Sequence, residues 1–411
     1  MKFWFISAPL YSHTDWGGLL KTALALQARG HQVTWVSEAS LAETITPTRL
    51  PFVSISHTGW LWPPPPAPDL TQLKPQEAVM LRYQRALDTW LSEDLVAQGT
   101  QALIDLAHTQ GKPDAFVIDP FLSAAALAAE ALDVPMIVGG WPAQADLDEG
   151  LLFPVQRSLS SDSHQRLARL YDHFGLRGVN FSKGTAPSIQ SPHLHITYFT
   201  RAWYTVEADS LLPQTQFVGG LPETPQDEPP GWLQDIPTEK SLALITLGTT
   251  FTGDLGFFSW AAQAAARHGL TPIVVLGWNP IAPDKKEELK RALPSGTRLL
   301  NFTPFAHVLP RTRLMIHHGG MGTTHYAVVY GVPQIVVPHA ADQRIQARRV
   351  AQAKLGLNLT AHDVRQGMLT QGVKALLEAD WVQANCQRFS QEMAALGGPP
   401  RAAELIERAL A

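Results

Sequence analysis

Short apolar segments alternate with amphipathic ones in two separate runs, and this alternation most constrains what the chain can fold into. In the first run, residues 2–7, 32–37, 52–55, 115–118 and 135–138 read as strands, rich in β-branched and aromatic side chains. Helical spacing fills the gaps: Leu19, Leu20, Ala23, Leu24 and Leu26 up to the stop at Gly30, then residues 76–110 and 124–131. The second run has strands at 242–247, 272–276, 314–317 and 334–338, with helices at 257–268, 284–293 and between the last two strands. Strands separated by helices of this length predict an α/β fold with parallel sheets covered on both faces. Between the runs, residues 221–240 (LPETPQDEPPGWLQDIPTEK) have the composition of a linker. The expected organisation is therefore a domain over 1–220, a linker over 221–240 and a second domain over 241–385. A C-terminal helix or helix pair over 386–411 is expected to pack back towards the first domain. Two such halves predict a ligand cleft facing the carboxyl ends of both sheets.

Composition narrows the function classes. The 411 residues suffice for two or three domains, and 45% hydrophobic with 17% charged residues describes a globular chain. A net charge of −4 argues against nucleic acid as a partner, because phosphates need a basic face. Cys386 is the single cysteine, so no internal disulfide and no thiol-based metal site is expected, in keeping with a cytoplasmic location. The opening MKFWFISAPLYSHTDWGG reads as a buried first strand rather than a signal peptide. No stretch reaches the roughly 18 apolar residues of a membrane span. Twelve Trp and 32 Pro stand out, several of them in GWLWPPPPAPD at residues 59–69.

The most informative segment is residues 314–350, LMIHHGGMGTTHYAVVYGVPQIVVPHAADQRIQARRV. A buried strand runs into a glycine-rich turn, and a helix opens near Thr323. Glycines let the backbone approach a ligand, and the unpaired N–H groups and positive dipole end of a helix suit a diphosphate. His318, at the turn, is placed to add a hydrogen bond to a phosphate oxygen. Asp342 and Gln343 offer acceptors and donors to neighbouring hydroxyls, although Asp342 would also serve as a helix N-cap.

This segment resembles the signature of the family 1 nucleotide-sugar glycosyltransferases, which include the plant secondary-metabolite enzymes and the bacterial macrolide and glycopeptide transferases. The shared residues are His318, Gly320, Gly322, Thr323, Gly331-Val332-Pro333, Pro338 and Asp342-Gln343. The resemblance implies the GT-B architecture, two Rossmann-like domains facing a cleft, the first for the acceptor and the second for the nucleotide sugar. It implies that His318 and the Gly322–Thr323 amides hold the donor diphosphate and that Asp342 and Gln343 bind the sugar hydroxyls. Gly248, Thr249 and Thr250 match the family's turn on the β-phosphate side. Phe302 and Thr303, in Asn301-Phe302-Thr303-Pro304-Phe305, match the segment that clasps the base, where the plant enzymes carry Trp and Gln in place of Phe302 and Phe305. Many members carry Glu, a ribose ligand, where this chain has Tyr326, which leaves uridine and deoxythymidine diphosphate both open.

Inverting sugar transfer needs a base for the acceptor hydroxyl, and a histidine oriented by a buried carboxylate supplies one. His13, in the loop after the first strand, is the candidate base. Asp119, ending a later strand, is its candidate partner, with Asp15 the weaker rival. The family places its catalytic pair in the same contexts, although the loop around His13 departs from the usual Gly-His pattern. Trp16, Trp60, Trp62, Phe121, Trp141 and Trp203 are candidates to line a flat, apolar acceptor site, and the GWLWPPPP segment is a candidate for peripheral membrane contact. His317-His318 and His193-Leu194-His195 lack the carboxylate company of a metal site, so no metal and no cofactor beyond the sugar nucleotide is expected. The chain is expected to act as a monomer or homodimer. The rival readings are a lipid-linked-sugar transferase, a nucleotide-sugar epimerase and a non-catalytic sugar-nucleotide-binding helper.

Overall fold

The computed structural model describes residues 1–66, 68, 73–145, 154–205, 207–225, 227–248, 255–278, 281–339 and 341–411. The chain forms two compact units. One comprises Met1–Tyr198, Val206–Val218 and Pro399–Ala411, the other Phe199–Thr205 and Gly219–Gly398.

The first unit is built on a seven-stranded parallel sheet with strands β1 (Lys2–Ile6), β2 (Gln32–Ser37), β3 (Phe52–Ser54), β4 (Ala115–Ile118), β5 (Met136–Gly139), β6 (Leu194–Thr197) and β7 (Thr215–Phe217). Their order is β3-β2-β1-β4-β5-β6-β7. Helices cover both faces, so the central strands are apolar almost without interruption and β4 and β5 are buried along their whole length. Successive residues point to opposite faces. Trp4 stacks on Phe116 at 5.6 Å between ring centroids on one side, and Phe5 stacks on Trp35 at 5.8 Å on the other. Each such side chain contributes roughly 1.5–3 kcal/mol by leaving water.

The second unit carries a six-stranded parallel sheet: β8 (Leu242–Thr246), β9 (Thr271–Val275), β10 (Arg298–Leu300), β11 (Thr312–His317), β12 (Gln334–Val336) and β13 (Gly356–Asn358), in the order β10-β9-β8-β11-β12-β13. The chain winds outward from β8 to β10, then returns to start β11 on the other side of β8. This reversal makes β8/β11 the topological switch point, the place where sheets of this class bind ligands at the strands' carboxyl ends.

Residues 221–240, expected as a linker, are counted with the second unit. Leu233 and Ile236, beside the short helix Gly231–Gln234, are buried, and the Arg311 guanidinium donates to the carbonyls of Leu233, Ile236 and Pro237. Two apolar anchors three residues apart in a polar stretch are too weak a pattern to outweigh its Pro and acid content. The continuous helix expected over 76–110 is two helices, Pro75–Leu91 and Glu93–Gln110, divided at Ser92, which has an extended backbone.

The C-terminal residues form two helices, Asp380–Ala395 and Gly398–Ala409. The last one lies in the first unit, where the Glu407 carboxylate accepts from Arg29 Nε at 2.7 Å and Nη2 at 2.6 Å and meets His31 Nε2 at 2.6 Å. Arg29 above all, then His31, holds the Glu407 carboxyl at a pKa of about 2. A depressed carboxyl stabilises the fold above its unfolded pKa, and that contribution fades as pH falls towards 2. Glu407→Gln is expected to weaken the clasp by roughly 1 kcal/mol, lowering the melting temperature at neutral pH by about 2–4 °C in calorimetry. An unchanged melting temperature would contradict the clasp.

Candidate functional site

In the first unit, Asp119 follows β4 directly and is fully buried. Two main-chain amides hold its carboxylate: Ala8 N donates to Oδ2 at 2.8 Å and Phe121 N to Oδ1 at 2.9 Å. The third contact is His13, whose Nδ1 lies 3.2 Å from Asp119 Oδ2. His13 sits on the one-turn helix Tyr11–Asp15, ended by Trp16 in the left-handed conformation at φ 42°. Only 8% of His13 is exposed. A carboxylate accepts only, so Nδ1 carries the hydrogen and Nε2 is left as the basic nitrogen. Asp119 is thus both the brace of the β1 loop and the orienting group for the imidazole.

Aromatic rings surround this pair. His13 meets Trp16 edge-on at 5.0 Å and Trp60 at 4.7 Å. Trp16 continues to Phe121 at 5.5 Å, and Phe121 to Trp141 at 5.9 Å. Four of the aromatics singled out from sequence therefore form one chain of rings through the imidazole. Trp62 is not joined to them and stands at the surface, 36% exposed. Trp203 belongs to the second unit and is buried in its interior, stacked on Phe199 at 4.5 Å and 9°. It is core, the usual fate of a large side chain that must leave water. The Trp141 carbonyl accepts from His195 Nδ1 at 3.1 Å, while His195 Nε2 accepts from Ser191 N at 2.9 Å. Burial lowers the pKa of His195 to about 4, so this histidine is a neutral structural strut.

In the second unit the switch point carries the glycine-rich turn. Gly248 follows β8 and His318 follows β11. The imidazole of His318 lies between two glycines: a Cβ on Gly248 would come within 2.6 Å of its Cε1, and one on Gly320 within 2.4 Å of its Nε2. Any larger residue at either position would displace the ring. Burial first, then the neighbouring His317 and His339, lowers the pKa of His318 to about 3. Its Nδ1 has no hydrogen-bond partner among the described residues. Gly320 caps the helix Met321–Val329, in which the first return bond is Thr324 N to Gly320 O. The amides of Met321, Gly322 and Thr323 therefore face outward without a helical acceptor. These N–H groups, the dipole end and a neutral imidazole form a cradle for an anion.

His317 has a different role. It accepts from Gly319 N at 3.0 Å through Nδ1 and pairs with Gln334 Oε1 at 2.9 Å through Nε2, which fixes its tautomer and the turn. Burial lowers its pKa to about 4. Asp342 and Gln343 open the helix Ala341–Gln352, and Gln343 packs directly against Gly319, its side-chain oxygen accepting from His339 N at 2.9 Å. The pair is thus brought beside the cradle. Thr303 is buried and Phe302 is 58% exposed, whereas Phe305 packs edge-on against Tyr326 at 5.3 Å. The Tyr326 hydroxyl donates to Glu223 Oε1 at 2.9 Å. Thr249 and Thr250 lie outside the described residues. The main-chain amides on Asp119 and the exposed Trp278 were missed from sequence. The first leave no signature in side-chain identity, and the second reads as an ordinary loop aromatic. Among the described residues no three His, Cys, Asp or Glu side chains group as metal ligands, and no helix is long and apolar enough to cross a membrane.

Residues 280–410 match the family model described as erythromycin biosynthesis protein CIII-like, C-terminal domain. The aclacinomycin-T 2-deoxy-L-fucose transferase of Streptomyces galilaeus is 25% identical over 99% of this chain and 96% of its own length. The chain is a GT-B glycosyltransferase. Its fold is shared with the glycosyltransferase of kitacinnamycin, at a TM-score of 0.75 and 22% identity over 100% of this chain and 99% of that one. It is shared also with the spinosyn rhamnosyltransferase SpnG complexed with thymidine diphosphate, at a TM-score of 0.69 and 21% identity over 99% and 100%. In this glycosyltransferase the switch-point turn lies inside the matched C-terminal segment, and the His13–Asp119 pair lies before it.

Proposed function

We propose that the enzyme moves a hexose from a nucleoside diphosphate to a hydroxyl of an apolar small molecule, with inversion at the anomeric carbon. The observation that carries this reading is the His13 Nδ1–Asp119 Oδ2 contact of 3.2 Å inside a ring of aromatic side chains. His13 Nε2 takes the proton of the acceptor hydroxyl as its oxygen attacks the anomeric carbon. The bond from that carbon to the β-phosphate oxygen breaks, and the nucleoside diphosphate leaves. Asp119 stabilises the imidazolium that forms. The charge growing on the leaving diphosphate falls on the amides of residues 321–323 and on His318, which supports a metal-independent reaction.

Support for the donor comes from the cradle and from SpnG, a protein of the same fold that binds thymidine diphosphate. Support for a flat acceptor comes from the rings of Trp16, Trp60, Phe121 and Trp141, and from the aclacinomycin type of acceptor that the Streptomyces relative's name records. The test is a panel of sugar nucleotides scored by thermal shift, followed by mass spectrometry with apolar hydroxylated acceptors. A glycoside is expected. Hydrolysis or epimerisation of the sugar nucleotide without a glycoside would sink the reading. Asp342→Ala is expected to blur discrimination between sugars, costing roughly tenfold or more in kcat/KM for the preferred donor. Affinity for the bare nucleoside diphosphate should stay within twofold, and a comparable loss there would remove Asp342 from the sugar site.

A further inference from the structure

Beside the switch point, the strand ends of β9 and β10 carry an aromatic pair that nothing in the cradle explains. The ladder continues past both strands, with Leu276 N donating to Leu300 O at 2.9 Å and Gly277 N to Asn301 O at 2.8 Å. The next side chains, Trp278 and Phe302, therefore emerge together at the carboxyl edge of the sheet. They are 60% and 58% exposed. Their rings lie 17° from parallel with centroids 6.4 Å apart. Single exposed aromatics need no explanation, and Trp381, equally exposed at 60%, has no ring beside it among the described residues. Two near-parallel rings held out into solvent on adjacent strands are different. A flat ring in van der Waals contact with both would need them about 7 Å apart, a few tenths of an ångström beyond what is observed.

Their position selects the occupant. Neighbouring strands are about 4.8 Å apart, so β9 and β10 lie about 5 and 10 Å from β8 and its Gly248–His318 cradle. One pentose ring with a diphosphate bridges such a gap. We propose that Trp278 and Phe302 form a two-sided clamp for the nucleobase of the donor, with Trp278 supplying the face that Phe302 does not. The proposal rests on the nucleotide-donor reading above. Stacking on both faces tolerates any pyrimidine, so the clamp supplies affinity for a base, and the choice between uracil and thymine falls to groups at its edge.

The experiment compares wild type, Trp278→Ala, Trp278→Phe and Phe302→Ala by calorimetric titration with UDP, dTDP and inorganic pyrophosphate, with melting temperature as the check on folding. Wild type should bind at least one nucleotide. Trp278→Ala should bind it roughly 5- to 100-fold more weakly, as loss of one stacking face predicts. Trp278→Phe should stay within a few-fold of wild type. Pyrophosphate, which has no base, should bind all four proteins alike. Nucleotide affinity unchanged in Trp278→Ala would overturn the clamp and leave the donor reading standing. So would a pyrophosphate affinity that falls in parallel with the nucleotide's. A wild-type protein that binds neither nucleotide would overturn the donor reading, and the clamp with it.

Discussion

His13→Ala should lose transfer by about 10²- to 10⁴-fold while binding the donor nucleotide as wild type does. The imidazole has no structural duty that alanine would abolish at a distance. It sits at a loop helix, and its one polar contact is with Asp119, which keeps its two main-chain donors, Ala8 N and Phe121 N, in the variant. The loss should therefore fall on the chemical step, read as a drop in kcat with the nucleotide Kd unchanged. Asp119→Asn is the companion variant. An amide of the same shape must turn either its oxygen or its NH₂ towards the imidazole while Ala8 N and Phe121 N still demand acceptors, so the tautomer with basic Nε2 loses its support. Turnover should fall by the same order in this variant. Normal turnover of His13→Ala would remove the base assignment, and with it the role of Asp119.

The second large effect is acid lability. His195 in the first unit, and His317 and His318 in the second, are buried, with pKa values lowered from 6.5 to about 4, 4 and 3. Each is neutral in the folded chain at pH 5, whereas in the unfolded chain each takes up a proton below about pH 6.5. The unfolded state then binds more protons, so stability falls as pH falls through the window from about 6.5 to 4. Each histidine contributes at most about 1.4 kcal/mol per pH unit, so the three together approach about 4 kcal/mol per unit, a large part of an ordinary domain's stability. Urea midpoints at pH 7.5, 6 and 5 should drop steeply. Hydrogen exchange should show the second unit, with two of the three histidines, losing protection faster than the first. A flat midpoint across this range would show that these histidines take up protons without unfolding. Bound nucleotide should protect the second unit by mass action, which adds a control within the same experiment.

Much of this was legible in the sequence because parallel sheets write themselves as apolar runs. β1, β2, β4, β5, β8, β9, β11 and β12 all begin or end within two residues of where β-branched clusters place them. β6, β7, β10 and β13 are three or four residues long, and in Leu194–Thr197 a histidine interrupts the apolar pattern, so periodicity had too little to act on. The His13–Asp119 contact was inferable because both residues follow strands at the carboxyl edge of one sheet, and it is adjacency of β1 and β4 that brings them together. Burial was harder to read than position. Trp16, Trp60 and Trp203 look alike in sequence, yet two join the rings at His13 and the third closes a core stack in the other unit. The sandwich of His318 between Gly248 and Gly320 depends on residues some seventy positions apart, which only the β8/β11 pairing makes neighbours.

The central claim is that one hydroxyl oxygen displaces a nucleoside diphosphate at the anomeric carbon while His13 removes its proton. The most direct measurement is the anomeric configuration of the product, read by proton NMR after single-turnover reaction of an α-linked nucleoside diphosphate hexose with an apolar hydroxylated acceptor. The account predicts a β-linked glycoside. An α-linked glycoside would contradict it, as would release of free hexose with the acceptor untouched.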